Sequence, residues 1–205
     1  LVLAWAFDIR PDPGPELPAD DQALTLVSAP EYTDKPGADS IESIAVLPFV
    51  NLSNDAENEY FSDGMSEELL NLLCKLPQLT VASRTSSFSF KGKDKDIVTI
   101  ARQLHVDVVL EGSVRRSGER VRITAQLIDG RSDRHLWSGN YDRELTDVFA
   151  VQDEIAQNIV DALKLSLTPE QQQSISRPAA TDNIDAYDFY LRGRYFVERG
   201  DVDSG

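Results

Sequence analysis

The sequence Val106-Asp-Val-Val-Leu-Glu-Gly-Ser-Val114 is followed, after the five residues Arg-Arg-Ser-Gly-Glu, by Arg120-Val-Arg-Ile-Thr-Ala-Gln-Leu-Ile128. In the second run apolar residues alternate with mostly polar ones, which is the period of a strand with one buried face. Gly118 supplies the residue for a tight turn between the two runs. The pattern predicts a β-hairpin, and Asp129-Gly130 begins a second turn into a third strand around Arg134 to Tyr141.

The sequence before this hairpin alternates between strand and helix patterns. Ser43-Ile-Ala-Val-Leu-Pro-Phe-Val50 is a nearly continuous apolar run, which is typical of a strand buried on both faces. Asp63–Leu76 has the apolar spacing of an amphipathic helix, with Ser66 as a candidate N-terminal cap. Leu79–Ala82 is a short second strand, and Asp96–Leu104 is a second helix after a loop that runs to Lys95.

A long helix is predicted from about Asp147 to Leu165, where Pro169 would stop it. The predicted order is therefore β-α-β-α-β-β-β-α. Two strand–helix units followed by a meander predict an α/β fold, with a mixed sheet and helices packed on it.

The flanks of this domain, which we place at residues 41–168, have a different composition. Residues 1–7 are all apolar and are too short to span a bilayer, so they are either the trailing end of a transmembrane helix or a stray apolar start. Residues 8–40 contain six of the ten prolines and eight acidic against two basic residues, which predicts an extended linker. An acidic linker after an apolar stub fits the outer side of a membrane.

The last segment is residues 183–205, and within it residues 183–200 predict a helix rich in aromatic residues. Phe189, Gly193, Phe196 and Gly200 fall at spacings of four, three and four, as in helices that pack closely in a helix–turn–helix repeat. We interpret it as the start of a truncated repeat array whose aromatic face is poorly covered. The alternative is a terminal helix that docks on the α/β domain.

Composition excludes several function classes. The formal net charge of −15 disfavours nucleic acid as a partner, because phosphate binding needs clustered lysine and arginine. The single cysteine, Cys74, lies in an apolar run and is expected to be a small buried residue rather than a nucleophile. No spacing of cysteine and histidine predicts a metal site, and no glycine-rich phosphate loop is present in the sequence. We therefore expect no cofactor.

Four segments follow one another along the chain in this order: Ile44-Ala-Val-Leu-Pro-Phe-Val-Asn-Leu-Ser53, Tyr60-Phe-Ser-Asp-Gly-Met65, Val108–Gly118 and Leu136-Trp-Ser138. This set resembles the TolB amino-terminal-like domain, in the version found in bacterial membrane-anchored proteins with tetratricopeptide repeats. Asp185–Tyr195 is similar to the first repeat helix of those proteins. The resemblance implies a cytoplasmic output unit upstream, either a CadC-type winged helix or a nucleotide cyclase domain. It implies a fold and a periplasmic location at the inner membrane, and no reaction.

Two loops are candidates for ligand binding, because ligands of open α/β sheets sit beyond the carboxyl ends of parallel strands. The candidate residues are Asn51, Ser53, Ser83, Arg84, Thr85 and Ser86. Hydroxyl groups and one arginine suit a carboxylate or a peptide end. Ordinary loop and cap chemistry is the alternative. The basic residues Arg115, Arg116, Arg120 and Arg122 are interpreted as a solvated hairpin tip.

Three functions follow from these observations. The first is a non-catalytic binding or signal-relay module that couples the repeats, and protein partners bound to them, to the output unit. The second is a structural or dimerisation spacer between membrane and repeats, which includes a possible homodimer. The third, an enzyme domain, lacks a recognisable set of catalytic residues.

Overall fold

The computed structural model describes residues 41–55, 58–175 and 183–199. These residues form a six-stranded sheet and six α-helices. The strands are β1 Ser43–Val46, β2 Val50–Asn51, β3 Thr80–Val81, β4 Val108–Ser117, β5 Arg120–Asp129 and β6 His135–Glu144. The helices are α1 Glu59–Leu73, α2 Arg84–Phe88, α3 Ile97–Leu104, α4 Val148–Ala162, α5 Pro169–Ile175 and α6 Ile184–Arg199.

The sheet is mixed, as the sequence predicts. Its strand order is β3-β1-β4-β5-β6, with β2 paired to β4 off this path. The early strands pair in parallel, β1 with both β3 and β4, whereas β4, β5 and β6 form an antiparallel meander. The predicted hairpin is confirmed at residue level, because Val108 pairs with Asp129 and Ser117 with Arg120 across β4 and β5.

The two faces of the sheet carry different cores. Leu110 and Val114 of β4 belong to the larger cluster, together with the apolar sides of α1 and α4. Val109, the neighbour of Leu110, points to the opposite face and packs with Ile97 and Ile100 of α3. Successive side chains of a strand point to opposite faces, so a strand that is apolar at consecutive positions must be covered on both sides.

Pro48 splits the first predicted strand into β1 and β2. The Leu47 N–H still donates to the Leu110 carbonyl at 2.9 Å, but proline has no N–H to continue the ladder. The next N–H, that of Phe49, donates to Ser66 Oγ at 2.8 Å instead. The segment that the sequence predicts to be a loop also contains a short helix, α2, whose N-terminus is capped by Ser83.

Helix α1 begins four residues earlier than predicted, at Glu59 rather than Asp63, and ends at Leu73 rather than Leu76. The predicted capping role of Ser66 is therefore wrong. Ser66 lies in the middle of the helix, where its Oγ donates to the Ser62 carbonyl and accepts from the Phe49 N–H.

The predicted long helix is α4, which runs from Val148 to Ala162 rather than to Leu165. Lys164 has a positive φ of 53° and ends the helical path before any proline. Pro169 does not stop α4; it opens α5, because the first residue of a helix needs no N–H donor.

The core extends past residue 168. Ile175 of α5 and the α6 residues Tyr187 and Leu191 are buried in the same cluster as α1 and α4. The domain boundaries inferred from sequence remain predictions, and residues 1–7, 8–40 and 200–205 lie outside the described part of the chain. Among the described helices, none is long and apolar enough to cross a membrane.

Candidate functional site

The first predicted ligand loop is held by its own hydrogen bonds. Asn51 Nδ2 donates to the Asp55 carbonyl at 3.1 Å, and Asn51 Oδ1 accepts from the Ser53 N–H at 2.9 Å. Ser53 Oγ accepts from the backbone N–H of Arg116 at 3.0 Å. Both candidate side chains thus fix the loop and tie it to β4. Their predicted role toward a ligand stays a prediction.

The second predicted loop forms α2. Ser83 Oγ accepts from the Ser86 N–H at 3.2 Å and donates to Ser86 Oγ at 2.9 Å, which is an ordinary N-terminal cap. Thr85 is exposed on this short helix. Arg84 Nε lies 2.7 Å from Glu67 Oε1, and its guanidinium stacks 4.3 Å from the centre of the Phe88 ring.

Each loop therefore leads to a different part of one surface, where α6 packs on α1. We call this surface the α6 junction, and it consists of Tyr60, Gly64 and Glu67 of α1, Asp188, Leu191 and Arg194 of α6, and Arg84 and Arg116. Ser53 reaches it through Arg116, and α2 reaches it through Arg84. Sequence reasoning found Arg84 but missed the other members of the junction.

The first ionic cluster of the junction centres on the Asp188 carboxylate. Arg116 Nη1 and Tyr60 Oη both donate to Asp188 Oδ1 at 2.6 Å, and Arg116 also donates to Tyr60 Oη at 2.9 Å. Arg192 Nε lies 3.1 Å from the other carboxylate oxygen. Partial burial raises the pKa of Asp188, but the hydrogen bonds from Tyr60 and Arg116 and the nearby arginine charges outweigh it and hold the pKa below its usual value.

The second ionic cluster lies further along α1, at the buried Glu67. Its carboxylate pairs with Arg84 from α2 and with Arg194 from α6. One carboxylate thus joins three helices. Because a buried carboxylate that loses its partners costs several kcal/mol, this arrangement favours the docked position of α6.

Apolar contacts lie alongside the two clusters. A Cβ placed on Gly64 would be 2.6 Å from Leu191 Cδ2, so the glycine allows α6 to approach α1 closely. Tyr187 is buried, accepts a hydrogen bond from Gln152 Nε2 at 2.9 Å, and packs edge-on against Phe149. Burial and then the nearby Glu68 charge raise the Tyr187 pKa far above its ordinary value.

The opposite side of α6 is uncovered. Phe189, Phe196 and Val197 are 72%, 53% and 68% exposed, respectively. The predicted helix over residues 183–200 is confirmed as Ile184–Arg199. One face docks on the domain, as the alternative interpretation expects, and the aromatic face is exposed, whereas the repeat array itself stays a prediction.

Two further sequence interpretations are wrong. Arg116 is not part of a solvated hairpin tip, because it is half-buried against Asp188. Arg120 and Arg122 are exposed, as expected, but both pair with Asp142. Cys74 is exposed at the end of α1 rather than buried. Within the described ranges, no group of three or more metal-ligating side chains comes together.

The fold and the junction define an α/β module with a mixed sheet and a docked C-terminal helix. Residues 39–158 match the family model for the second domain of HilA/YgeH-like transcriptional regulators, so the chain belongs to that family. It is also 48% identical over 155 residues to the Rhizobium meliloti (strain 1021) protein named "Putative adenylate cyclase 3". That match covers 76% of this chain and 26% of the relative, so the chain spans about a quarter of that protein.

Three solved structures are similar to part of this chain at low sequence identity. Lipoprotein GNA1162 from Neisseria meningitidis is 22% identical, with a TM-score of 0.43 over 62% of this chain and 99% of that chain. TolB from Acinetobacter baumannii is 16% identical, with a TM-score of 0.46 over 61% and 29%. The LpoB C-terminal domain from Salmonella enterica is 19% identical, with a TM-score of 0.42 over 53% and 87%.

Proposed function

We propose that this chain is a non-catalytic binding or signal-relay module of a membrane-anchored bacterial regulator. It joins a helical repeat array, which begins with α6, to an output unit upstream. Membership of a family of transcriptional regulators and the likeness to a protein named as a cyclase both support a regulatory role. The output is a transcriptional or a cyclase domain, and protein partners reach the module through the repeats.

The observation that carries this proposal is the two-sided character of α6. One face is fastened to α1 by two ionic clusters and by Leu191, and the other face exposes Phe189 and Phe196. A helix that is anchored on one side and apolar on the other transmits the position of whatever covers it. Displacement of the repeats would pull directly on Asp188 and Arg194, and through Arg116 and Arg84 on the loops beyond the strands.

The test is an output assay on the full-length parent protein. Asp188→Asn removes the charge that holds Arg116, and Asp185→Asn makes the same change at an exposed position one turn away on the same helix. Cyclic AMP formation and transcription of a reporter gene are both measured. We expect Asp188→Asn to change the output and Asp185→Asn to leave it unaltered. If hydrogen exchange shows α6 released while both outputs stay at the wild-type level, the module does not relay.

We propose that the module lies on the periplasmic side of the inner membrane, downstream of a single membrane helix. Cys74 offers a direct test because its side chain is exposed. Partial burial raises the pKa of its thiol, so labelling is run at mildly alkaline pH. A membrane-impermeant maleimide should label Cys74 in spheroplasts, with the Cys74→Ser parent as control. Labelling only after lysis would place the module in the cytoplasm.

The alternative, a dimerisation spacer, is favoured by the exposed aromatic face alone. Two copies joined through Phe189 and Phe196 would bury apolar area that one copy leaves in water. Sedimentation of the full-length parent in detergent decides between them. A dimer that dissociates when both residues are changed to Ser, with output unaffected, supports the spacer.

A further inference from the structure

The second face of the sheet carries a cavity of about 390 Å³, away from the α6 junction. Helix α3 and the lysine loop, which we define as residues 90–95, cover only part of this face. The apolar wall of the cavity is formed by Leu47, Phe90, Ile97 and Ile100. Small-molecule sites in proteins occupy about 300–1,000 Å³, so the volume suits a ligand of two residues or fewer.

The floor of the cavity is unexpectedly polar. On this face of the β4–β5 hairpin, Val109 pairs with Ile128 and both are buried beneath α3. The next two pairs on the same face are Glu111 with Gln126 and Ser113 with Thr124, and all four residues line the cavity. The change from apolar to polar falls where the cover of α3 ends and the cavity begins.

Glu111 is the unusual residue of this floor. It is half-buried, and among the described residues it has neither an ion-pair partner nor a side-chain hydrogen bond. Burial raises the pKa of its carboxyl above the ordinary value. The nearby His135 lowers this pKa and Asp133 raises it, so burial remains the dominant effect. A partly buried carboxylate without a hydrogen-bonded partner is costly. A ligand cation at this position would remove the cost.

The mouth of the cavity carries ammonium groups. Lys91 is committed to Asp63, but Lys93 and Lys95 project over the Phe90 ring at 5.9 and 5.2 Å from its centre. Lys95 donates to Gln103 Oε1 at 3.0 Å, and Lys93 has no carboxylate partner within the described ranges. The lining of the cavity therefore combines one carboxylate with lysine ammonium groups.

We propose that this cavity binds the free amino group of an apolar amino acid or of a short peptide. Glu111 accepts the ligand ammonium, with Ser113 and Gln126 as additional polar partners. The apolar side chain packs against Phe90 and Ile97, and Lys93 at the mouth faces the ligand carboxylate. A simple anion would be repelled by the Glu111 carboxylate, and a simple amine would offer no carboxylate to Lys93.

Isothermal titration of the chain with four probes tests this proposal. The probes are leucine, the dipeptide Leu-Leu, N-acetyl-Leu-Leu and Leu-Leu amide. We expect saturable binding of Leu-Leu and a loss of roughly 10- to 150-fold on N-acetylation, the range for one hydrogen bond to a charged group. A smaller loss is expected for the amide. If leucine binds with the same affinity as Leu-Leu, the ligand is the amino acid. If only the dipeptide binds, the ligand is the peptide.

Two matched variants then assign the groups. Glu111→Gln should weaken Leu-Leu to the level of the N-acetyl form and leave the N-acetyl form unchanged, whereas Glu119→Gln, at the exposed hairpin turn, should change neither. Lys93→Gln should affect Leu-Leu but not its amide. Absence of saturable binding to all four probes, or equal affinity for free and acetylated dipeptide, would overturn the proposal. The four probes are compared first on the unmodified chain, so this test of the proposal does not depend on whether a variant folds.

Discussion

The close contact of Gly64 with Leu191 makes a specific prediction about the attachment of α6. Gly64 lies in the interior of α1, and Leu191 is only 3% exposed where it packs on it. A new Cβ on Gly64 would lie 2.6 and 2.8 Å from the two methyl carbons of Leu191. Gly64→Leu adds a whole side chain to this space, so we expect it to displace α6 while the sheet and α1 stay folded.

The expected free-energy changes on Gly64→Leu result from two opposing effects. Replacing glycine inside a helix stabilises that helix by about 0.8–1 kcal/mol. Overpacking a filled contact costs about 1–3 kcal/mol, and the buried Leu191 side chain itself contributes about 1.5–3 kcal/mol to docking. The second effect acts only on α6. Local opening of α6 should therefore become more frequent by roughly 5- to 150-fold. The global stability should fall by no more than about 2 kcal/mol, because the gain in helix propensity offsets part of the lost docking energy.

Native-state hydrogen exchange read by mass spectrometry separates these two effects. Peptides from residues 184–199 report on α6, and peptides from β4 report on the sheet. The matched control is Gly193→Leu, the same substitution on α6 itself, where a new Cβ meets nothing within 4 Å. The control should increase the protection of α6, because it gains helix propensity without a clash. Low protein concentration avoids association through the added leucine.

If Gly64→Leu leaves the protection of residues 184–199 at the wild-type level or higher, the close approach of the two helices does not limit docking. The double variant Gly64→Leu with Leu191→Ala supplies the complementary measurement. The new leucine then has the space of the old one, so protection should recover by more than the sum of the two single changes allows.

Three further predictions concern separate parts of the molecule. Gly112→Ala should destabilise the domain by about 3 kcal/mol or more in urea unfolding, because the new Cβ would lie 2.4 Å from the Thr124 carbonyl oxygen in the neighbouring strand. The stability that Asp188 gives to α6 should be fully present above about pH 3.9, the ordinary aspartate value, and should be lost as the pH falls through the lowered pKa of Asp188. Hydrogen exchange of the α6 amides across this pH range measures the loss. Asp188→Asn should abolish the pH dependence. Changing Phe189 and Phe196 to Ser should weaken self-association in sedimentation velocity while the thermal midpoint stays the same, since both rings are exposed; a lower midpoint would show that they support the fold.

The candidate site shows where prediction from sequence stops. Arg84, Ser83 and Asn51 were found because polar residues after strands mark the usual place for a site. The cluster around Asp188 was not found, because Asp188 lies 128 residues from Tyr60 and 72 from Arg116. No local pattern connects residues so far apart in the chain. Asp188 and Arg192 at a spacing of four formed the single local signal, and it indicated only a helix-surface pair.

The strands, the hairpin and most of the helices of this protein follow from the sequence by itself, because each depends on a short-range period of apolar residues. The mixed character of the sheet follows too, since short turns join antiparallel neighbours and helices join parallel ones. The sequence predicts a poorly covered aromatic face on α6, but only the tertiary structure decided that the other face docks on α1. Tyr187, Phe189 and Leu191 are all apolar or aromatic, and composition cannot tell which of them is covered. That choice depends on the space left by Gly64 and on the positions of Arg116 and Glu67, which are set by the packing of elements distant in sequence.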